Sequence, residues 1–269
     1  MQQTPPHLSN PPLIMALARV EFAKLPQAKL EGSIDSLHDM LRAQYPDITK
    51  GFSNNVNLNL SNTDSGDLAS NIVSEKTPFW LFRSANYDWS VQIDVNGVLV
   101  CTKAYSSSED LCHRIRNILD ALDTAIKITH TRYVGVRFIN KIDIDTNGQF
   151  SALRPGYIQQ QLSFTEGMGG SSYTARYKVD GGWLDIRSDL VVGGYEVADD
   201  LREIAAQLNL AKEPVNEVFV TLDFDCKHVS ENFESYDLNQ LCERIISLTE
   251  QGKLALVNVL TEDEIERRK

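Results

Sequence analysis

Arg132-Tyr133-Val134-Gly135-Val136-Arg137-Phe138-Ile139-Asn140-Lys141-Ile142-Asp143-Ile144-Asp145 is the stretch on which the fold turns. Val134, Val136, Phe138, Ile142 and Ile144 fall on one side of it, and Tyr133, Arg137, Lys141, Asp143 and Asp145 on the other. A period of two sustained over this length belongs to a β-strand with one face on a core and one face open. A second strand of the same kind runs from Glu217 to Lys227, with Val218, Val220, Leu222, Phe224 and Cys226 on its apolar side.

Working outward, each long strand follows a helical pattern and a hairpin. Before the first, Leu111, Ile115, Ile118, Leu122 and Ile126 recur at helical spacing behind Ser106 to Ser108, Glu109 and Asp110, residues suited to capping and to the helix dipole. Upstream of them, Trp89 to Val95 and Val98 to Lys103 flank Asn96-Gly97, a strong hairpin signal. Before the second, Tyr173 to Val179 and Trp183 to Arg187 flank Asp180-Gly181-Gly182, Val191 to Tyr195 offers a third strand, and Ala198 to Leu208 reads as a helix. Leu13 to Phe22 suits a first strand, Leu30, Ile34, Leu37 and Leu41 mark a helix stopped by Pro46, and Ser61 to Ser70 reads as a polar loop. Leu238, Leu241, Ile245 and Leu248 mark a further helix, and Thr261 with Glu264 has capping-box spacing. The expected fold class is α+β: two intimately packed halves, 1–148 and 149–269. Each would be an antiparallel-rich sheet with helices on one face, and the shared order hints at an internal duplication.

Composition narrows the function classes. The 269 residues are 42% apolar, enough for a substantial core. Lys and Arg number 26 against 37 Asp and Glu, a net charge of -11, which disfavours long-range attraction to nucleic acid or anionic lipid. Cys101, Cys112, Cys226 and Cys242 have no Cys-x-x-Cys pairing and no histidine at zinc-finger spacing, so buried free thiols are expected. No apolar run has the length of a membrane span, and Met1 to Asn10 lack a basic region followed by an apolar one. The expected location is the cytoplasm.

Three separated stretches carry a resemblance. Asn10-Pro11-Pro12-Leu13-Ile14 leading into Val20-Glu21-Phe22, the Arg132 to Ile142 strand with its Arg137-Phe138-Ile139-Asn140, and Leu222-Asp223-Phe224-Asp225 with Leu260-Thr261-Glu262-Asp263-Glu264 form the set. Together they resemble landmarks of a sporadically distributed prokaryotic TIGR-catalogued family of unknown function. The resemblance implies a compact α+β protein and, through the patchy distribution, a link to prokaryotic antiviral defence or mobile elements. It supplies no catalytic residue. Relatives tend to have Leu-His in the last long helix where this chain has Leu241-Cys242.

Few residue groupings carry chemistry. Asp223, Asp225 and Lys227 fit half of a metal-dependent nuclease site, in which carboxylates hold Mg²⁺ and a lysine stabilises charge on the attacked phosphate. The one Pro-Asp, Pro46-Asp47, is far upstream, and a solvated strand end is the plainer reading. Asp143 and Asp145 repeat the acidic pair, and four carboxylates could bind a cation if the strand ends converged. Glu166-Gly167-Met168-Gly169-Gly170-Ser171-Ser172 lacks the Gly-Lys-Ser/Thr of a phosphate loop, so no cofactor is expected. His7, His38, His113, His130 and His228 show no i, i+4 pairing.

Asn140 is out of place, an amide on the apolar side of its strand, where an unpaired group costs about 1–3 kcal/mol. Either backbone satisfies it, or it stands with Arg137 and Lys141 at a ligand or partner surface. Phe79, Trp80, Phe82, Tyr87 and Trp89 are either core or interface anchors, with Trp80 and Trp89 the candidates for binding. These readings favour a noncatalytic protein-binding or regulatory subunit whose partner is another protein or a second copy. The alternative is a divalent-metal nuclease or phosphodiesterase.

Overall fold

The computed structural model describes residues 5–62, 68–144, 150–158 and 169–269, with the backbone alone between 54 and 75. The described residues build a single nine-stranded sheet, antiparallel throughout, with five α-helices. This is the α+β class that the alternating strands and separate helical patterns predict.

In chain order, β1 (Leu13–Phe22) and α1 (Gln27–Leu41) precede the long hairpin β2 (Asp47–Asn62) and β3 (Leu68–Arg83). A second hairpin, β4 (Trp89–Asp94) and β5 (Gly97–Thr102), leads through α2 (Ser108–Ile126) to β6 (His130–Asp143). Then come β7 (Ser171–Val179), β8 (Gly182–Gly194), a 3-10 turn (Asp199–Leu201), α3 (Arg202–Gln207), β9 (Val215–Ser235), α4 (Leu238–Val259) and α5 (Glu262–Arg268). In space the strands lie β2-β3-β4-β5-β1-β6-β9-β8-β7.

The two long strands, β6 and β9, are therefore antiparallel neighbours in one sheet, with Arg137 opposite Asp225. The helix–strand order is built differently in the two halves. β5 and β6 flank β1, and α2 crosses between them on one face; β8 and β9 are adjacent, and α3 joins them on the other. The helices are thus not confined to one side. α1, α2 and α4 cover Ala16, Ala18 and Val20 of β1, Val134 to Phe138 of β6 and Val220 to Cys226 of β9. The 3-10 turn and α3 place Val197, Leu201, Ala205 and Leu208 on Met15, Leu17, Cys101 and Ile139.

Local chemistry accounts for most element ends. Ser107 Oγ accepts from the Asp110 amide at 3.1 Å, capping α2, and Asp237 accepts from the Asn239 and Gln240 amides to cap α4. Thr261 forms no capping box with Glu264. Its hydroxyl donates to the Ser151 carbonyl at 3.0 Å, while Glu264 pairs with Arg267 and Arg268. Val191 to Tyr195 is no separate strand, because β8 runs unbroken through Val191 and Val192 against Phe219 and Val218 of β9. The predicted loop from Ser61 to Ser70 narrows, since β2 extends to Asn62 and β3 resumes at Leu68.

The β4–β5 hairpin forms, but its turn sits one residue earlier than Asn96-Gly97 suggests. Asp94 pairs with Gly97, and Asp94 Oδ1 accepts from the amides of Asn96 and Gly97 at 2.6 and 3.1 Å. Gly97 lacks the left-handed backbone of a primed turn. Its requirement is space: a Cβ there would stand 2.4 Å from the Val20 carbonyl oxygen on β1. Gly97→Ala is accordingly expected to cost about 1–3 kcal/mol, as overpacking against rigid backbone does. An unchanged urea midpoint would refute that reading.

All four cysteines are buried and free, and burial pushes the Cys101 and Cys226 thiols up to about 12. The native protein is expected to resist a disulfide reagent at pH 8, and all four thiols should react in denaturant. Fast labelling of Cys101 or Cys226 in the native state would contradict this arrangement.

Candidate functional site

On the open sides of β6, β8 and β9, the residues singled out for nuclease chemistry are tied into ion pairs. Arg137 Nε and Nη2 donate to the two carboxylate oxygens of Asp223 at 2.8 and 2.5 Å, and Nη1 reaches Asp200 at 2.7 Å. Lys227 Nζ donates to Asp225 at 2.6 Å and to Asp185 at 2.7 Å. Arg176 closes the ladder on Asp185 at 2.6 Å. The cause is register: Asp185 of β8 lies opposite Asp225, a like-charge pair that Lys227 bridges, while Arg187 lies opposite Asp223 and Arg137 of β6 opposite Asp225.

The electrostatics follow from those contacts. Burial pushes the Asp223 carboxyl above the usual carboxylate range, and the Arg137 guanidinium holds it back. The hydrogen bond from Arg176, against some burial and helped by Lys227, holds Asp185 down at about 2. Burial works to lower the Lys227 ammonium, but Asp185 and Asp225 outweigh it and raise it. Two of the three N–H donors of the Lys227 ammonium are thereby committed to carboxylates.

The other acidic candidates do not join this group. β6 and β9 run antiparallel, so Asp143 lies opposite Phe219, six residues along the strand from the level of Asp225, about 20 Å. Asp145 lies outside the described residues. Asp47 begins β2, paired with Arg83 at 2.6 Å and six strand positions from β9, about 29 Å at the usual strand spacing. Among the described residues, no three His, Cys, Asp or Glu side chains are grouped to hold a metal ion.

The predicted binding residues also separate. Lys141 is engaged by Glu196 at 2.8 Å and Glu217 at 3.1 Å, on the side of β6 that carries Arg137. Trp80 and Trp89 are buried in the helix-covered core, and Arg114 stacks over the Trp89 ring at 4.1 Å. Neither tryptophan can anchor a partner. The glycine run before β7 is described only from Gly169, and Glu166 to Met168 lie outside the described residues.

Asn140 is on the opposite face from Arg137 and Lys141, and here the structure shows a cavity of about 600 Å³. Phe138 and Asn140 of β6 and Phe224 of β9 line it from the sheet. α4 contributes Glu250, Gly252, Lys253, Leu256 and Val257, and the turn into α2 contributes Tyr105 to Ser107 with Glu109. The N-terminal lead-in from Pro5 to Leu13 forms the remaining wall. That lead-in is tied down: the amides of Ser9 and Asn10 donate to the Arg268 carbonyl, and Arg268 returns a bond to the Asn10 carbonyl at 2.9 Å.

Asn140 is 1% exposed. Its Nδ2 donates across the strand pair to the Leu222 carbonyl at 3.4 Å, which orients the amide, while its Oδ1 is buried with no partner. Tyr105 Oη, also on the cavity, is likewise unpartnered, and the Tyr105 ring stands edge-on to Phe138 with centroids 5.6 Å apart. Burial, with Glu250 and Glu109 nearby, raises the Tyr105 hydroxyl, so it stays protonated. Gly252 lets the Phe138 ring pack directly on α4, because a Cβ there would lie 2.6 Å from that ring.

Only Asn140 betrays this cavity in the sequence, as a polar residue on an apolar side. Tyr105, Glu250, Gly252 and the lead-in come from segments far apart in the chain and carry no local pattern. No protein-family profile matches the chain, and no curated protein matches it.

Proposed function

We propose that this chain is a noncatalytic binding and regulatory protein whose ligand occupies the cavity between the lead-in, α4 and the centre of the sheet. One observation carries the reading: a roomy, largely apolar cavity of about 600 Å³, with Phe138, Asn140, Tyr105 and Leu256 among its walls. Apolar walls with a few convergent polar groups are the usual make-up of a small-molecule site.

The test is a screen of ring-sized fragments followed by protein NMR on the wild type and on Val257→Phe, which fills the cavity from its wall. Binders should shift resonances of Tyr105, Phe138 and Gly252 in the wild type and lose affinity in the variant. A screen in which no fragment perturbs those residues at millimolar concentration overturns the reading.

A protein partner is the second reading, and it rests on a different surface. Trp183, Val229 and Phe233 are exposed large apolar side chains toward one end of the sheet. It agrees with the resemblance to a family linked to defence or mobile elements. Recovery of the isolated monomer alone from native cells would remove it.

The metal-dependent phosphodiesterase has the weaker support, because each of its residues is matched by an opposite charge. Calorimetry with Mn²⁺ is expected to give the same trace for the wild type and Asp225→Ala. Saturable binding lost in that variant would reinstate the metal reading.

A further inference from the structure

We infer that β2 is a dimerisation edge, and that its occupant is β2 of a second copy of this chain, paired antiparallel about Leu58. The dimer does not depend on the cavity or on any ligand in it.

The backbone pairing shows an arm. β3 pairs with β4 only from Phe79 to Arg83, whereas its pairing with β2 continues from Thr77 opposite Ser53 to Leu68 opposite Asn62. Ten residues of each strand therefore run beyond the sheet as a two-stranded ribbon, about 33 Å long at the usual strand rise. Among the described residues no third strand accompanies it, and β2 is an outermost strand of the sheet. A ribbon of two strands is marginal in water, and three or more strands sharing a face are needed for stability. A second ribbon laid alongside supplies them.

Composition distinguishes the edges. From Gly51 to Asn62, β2 has no charged residue and no proline. β3 has Glu75, Lys76 and Pro78, and β7, at the opposite edge of the sheet, has Arg176 and Lys178. Charges and prolines are what keep an exposed edge from pairing, so β2 is the unguarded one.

The order of residues selects the occupant. Asn54-Asn55-Val56-Asn57-Leu58-Asn59-Leu60-Ser61-Asn62 has nearly the same chemistry in either direction. Antiparallel pairing about Leu58 sets Leu58 opposite its own copy, Val56 opposite Leu60, Asn57 opposite Asn59, Asn55 opposite Ser61 and Asn54 opposite Asn62. Apolar meets apolar and polar meets polar, whereas a slip of one residue would set every apolar position against a polar one. The pairing is the same seen from either copy, so it closes as a two-fold dimer, and the guarded β3 edges stop further addition.

Sedimentation equilibrium of the wild-type chain should show a dimer with a dissociation constant of about 1–100 µM. Leu58→Lys sets two like charges opposite each other on the two-fold and should weaken it about tenfold or more. Leu58→Cys reports the register: under mild oxidation it should cross-link as a dimer, with the two Cα atoms about 5.5 Å apart. Asn57→Cys should not, because its copy is displaced two residues along the strand, about 8 Å away and beyond disulfide reach. The four native cysteines are buried and do not compete.

A wild-type chain that stays monomeric up to about 1 mM overturns the inference without any variant. A dimer unchanged by Leu58→Lys also overturns it, since another surface would then hold the copies together. Cross-linking that is equal in the two cysteine variants, or absent from both, overturns the pairing about Leu58.

Discussion

Replacing Arg137 with methionine is expected to destabilise the protein by about 3–5 kcal/mol at pH 7, the usual consequence of removing one partner of a buried ion pair. Asp223 is 7% exposed and takes two of its hydrogen bonds from this guanidinium. Without it, burial first and then the Asp225 and Asp200 carboxylates act unopposed and lift the carboxyl further above the unfolded value of about 4. A group whose folded pKa is raised favours the folded state at low pH and loses that contribution as pH rises through the folded value. The deficit of Arg137→Met should therefore shrink as the pH is lowered from 7 toward 4. Urea unfolding at the two pH values measures it.

Two companion variants locate the cause. Arg137→Met with Asp223→Leu should recover much of the loss, since a well-packed apolar pair replaces a buried ionic one at little or no cost. Asp200→Asn should cost no more than about 1 kcal/mol, because its carboxylate is largely exposed. A loss below 1 kcal/mol in the single variant, or a deficit that grows on acidification, would show that the Arg137 pair is a surface ornament.

Phe82→Ala is the second large effect, about 3–5 kcal/mol. The Phe82 side chain is fully buried on β3, with the His38 ring of α1 tilted over it at 6.0 Å between centroids. Removing it opens a void between the sheet and α1, and hydrogen exchange should accelerate first in Gln27–Leu41. Phe52→Ala is the control. Phe52 lies on β2, four strand positions from β1, and is 58% exposed, so a change within about 0.5 kcal/mol is expected. Equal losses in the two variants would mean that burial is not what Phe82 contributes.

What was legible in the sequence was governed by short range. β1 runs from Leu13 to Phe22 as its apolar stretch indicates, and α2 begins behind Ser107 as its serines and acids indicate. The hairpin around residue 96 is present with its turn displaced, because Asp94 supplies the turn chemistry and Gly97 is needed for the approach of β1. Thr261 looked like a cap but gives its hydroxyl to the Ser151 carbonyl, a partner more than a hundred residues away. Trp80 and Trp89 read as core or interface until the faces of β3 and β4 are assigned by α1 and α2.

By itself the sequence determined most of the strand and helix segments, that the two long strands have one apolar and one charged side, and that Asn140 stands on the apolar one. Periodicity and capping act within a few residues, so those features need no distant partner. Only the tertiary structure decided what the charges and the amide do. Strand register sets Arg137 on Asp223 and Lys227 on Asp185, so the acidic pair is matched by opposite charge. The meeting of the N-terminal lead-in, the turn before α2 and the glycine of α4 leaves Asn140 facing a cavity rather than packed against one of them. Both outcomes depend on segments brought together from across the chain, and no local pattern encodes that geometry.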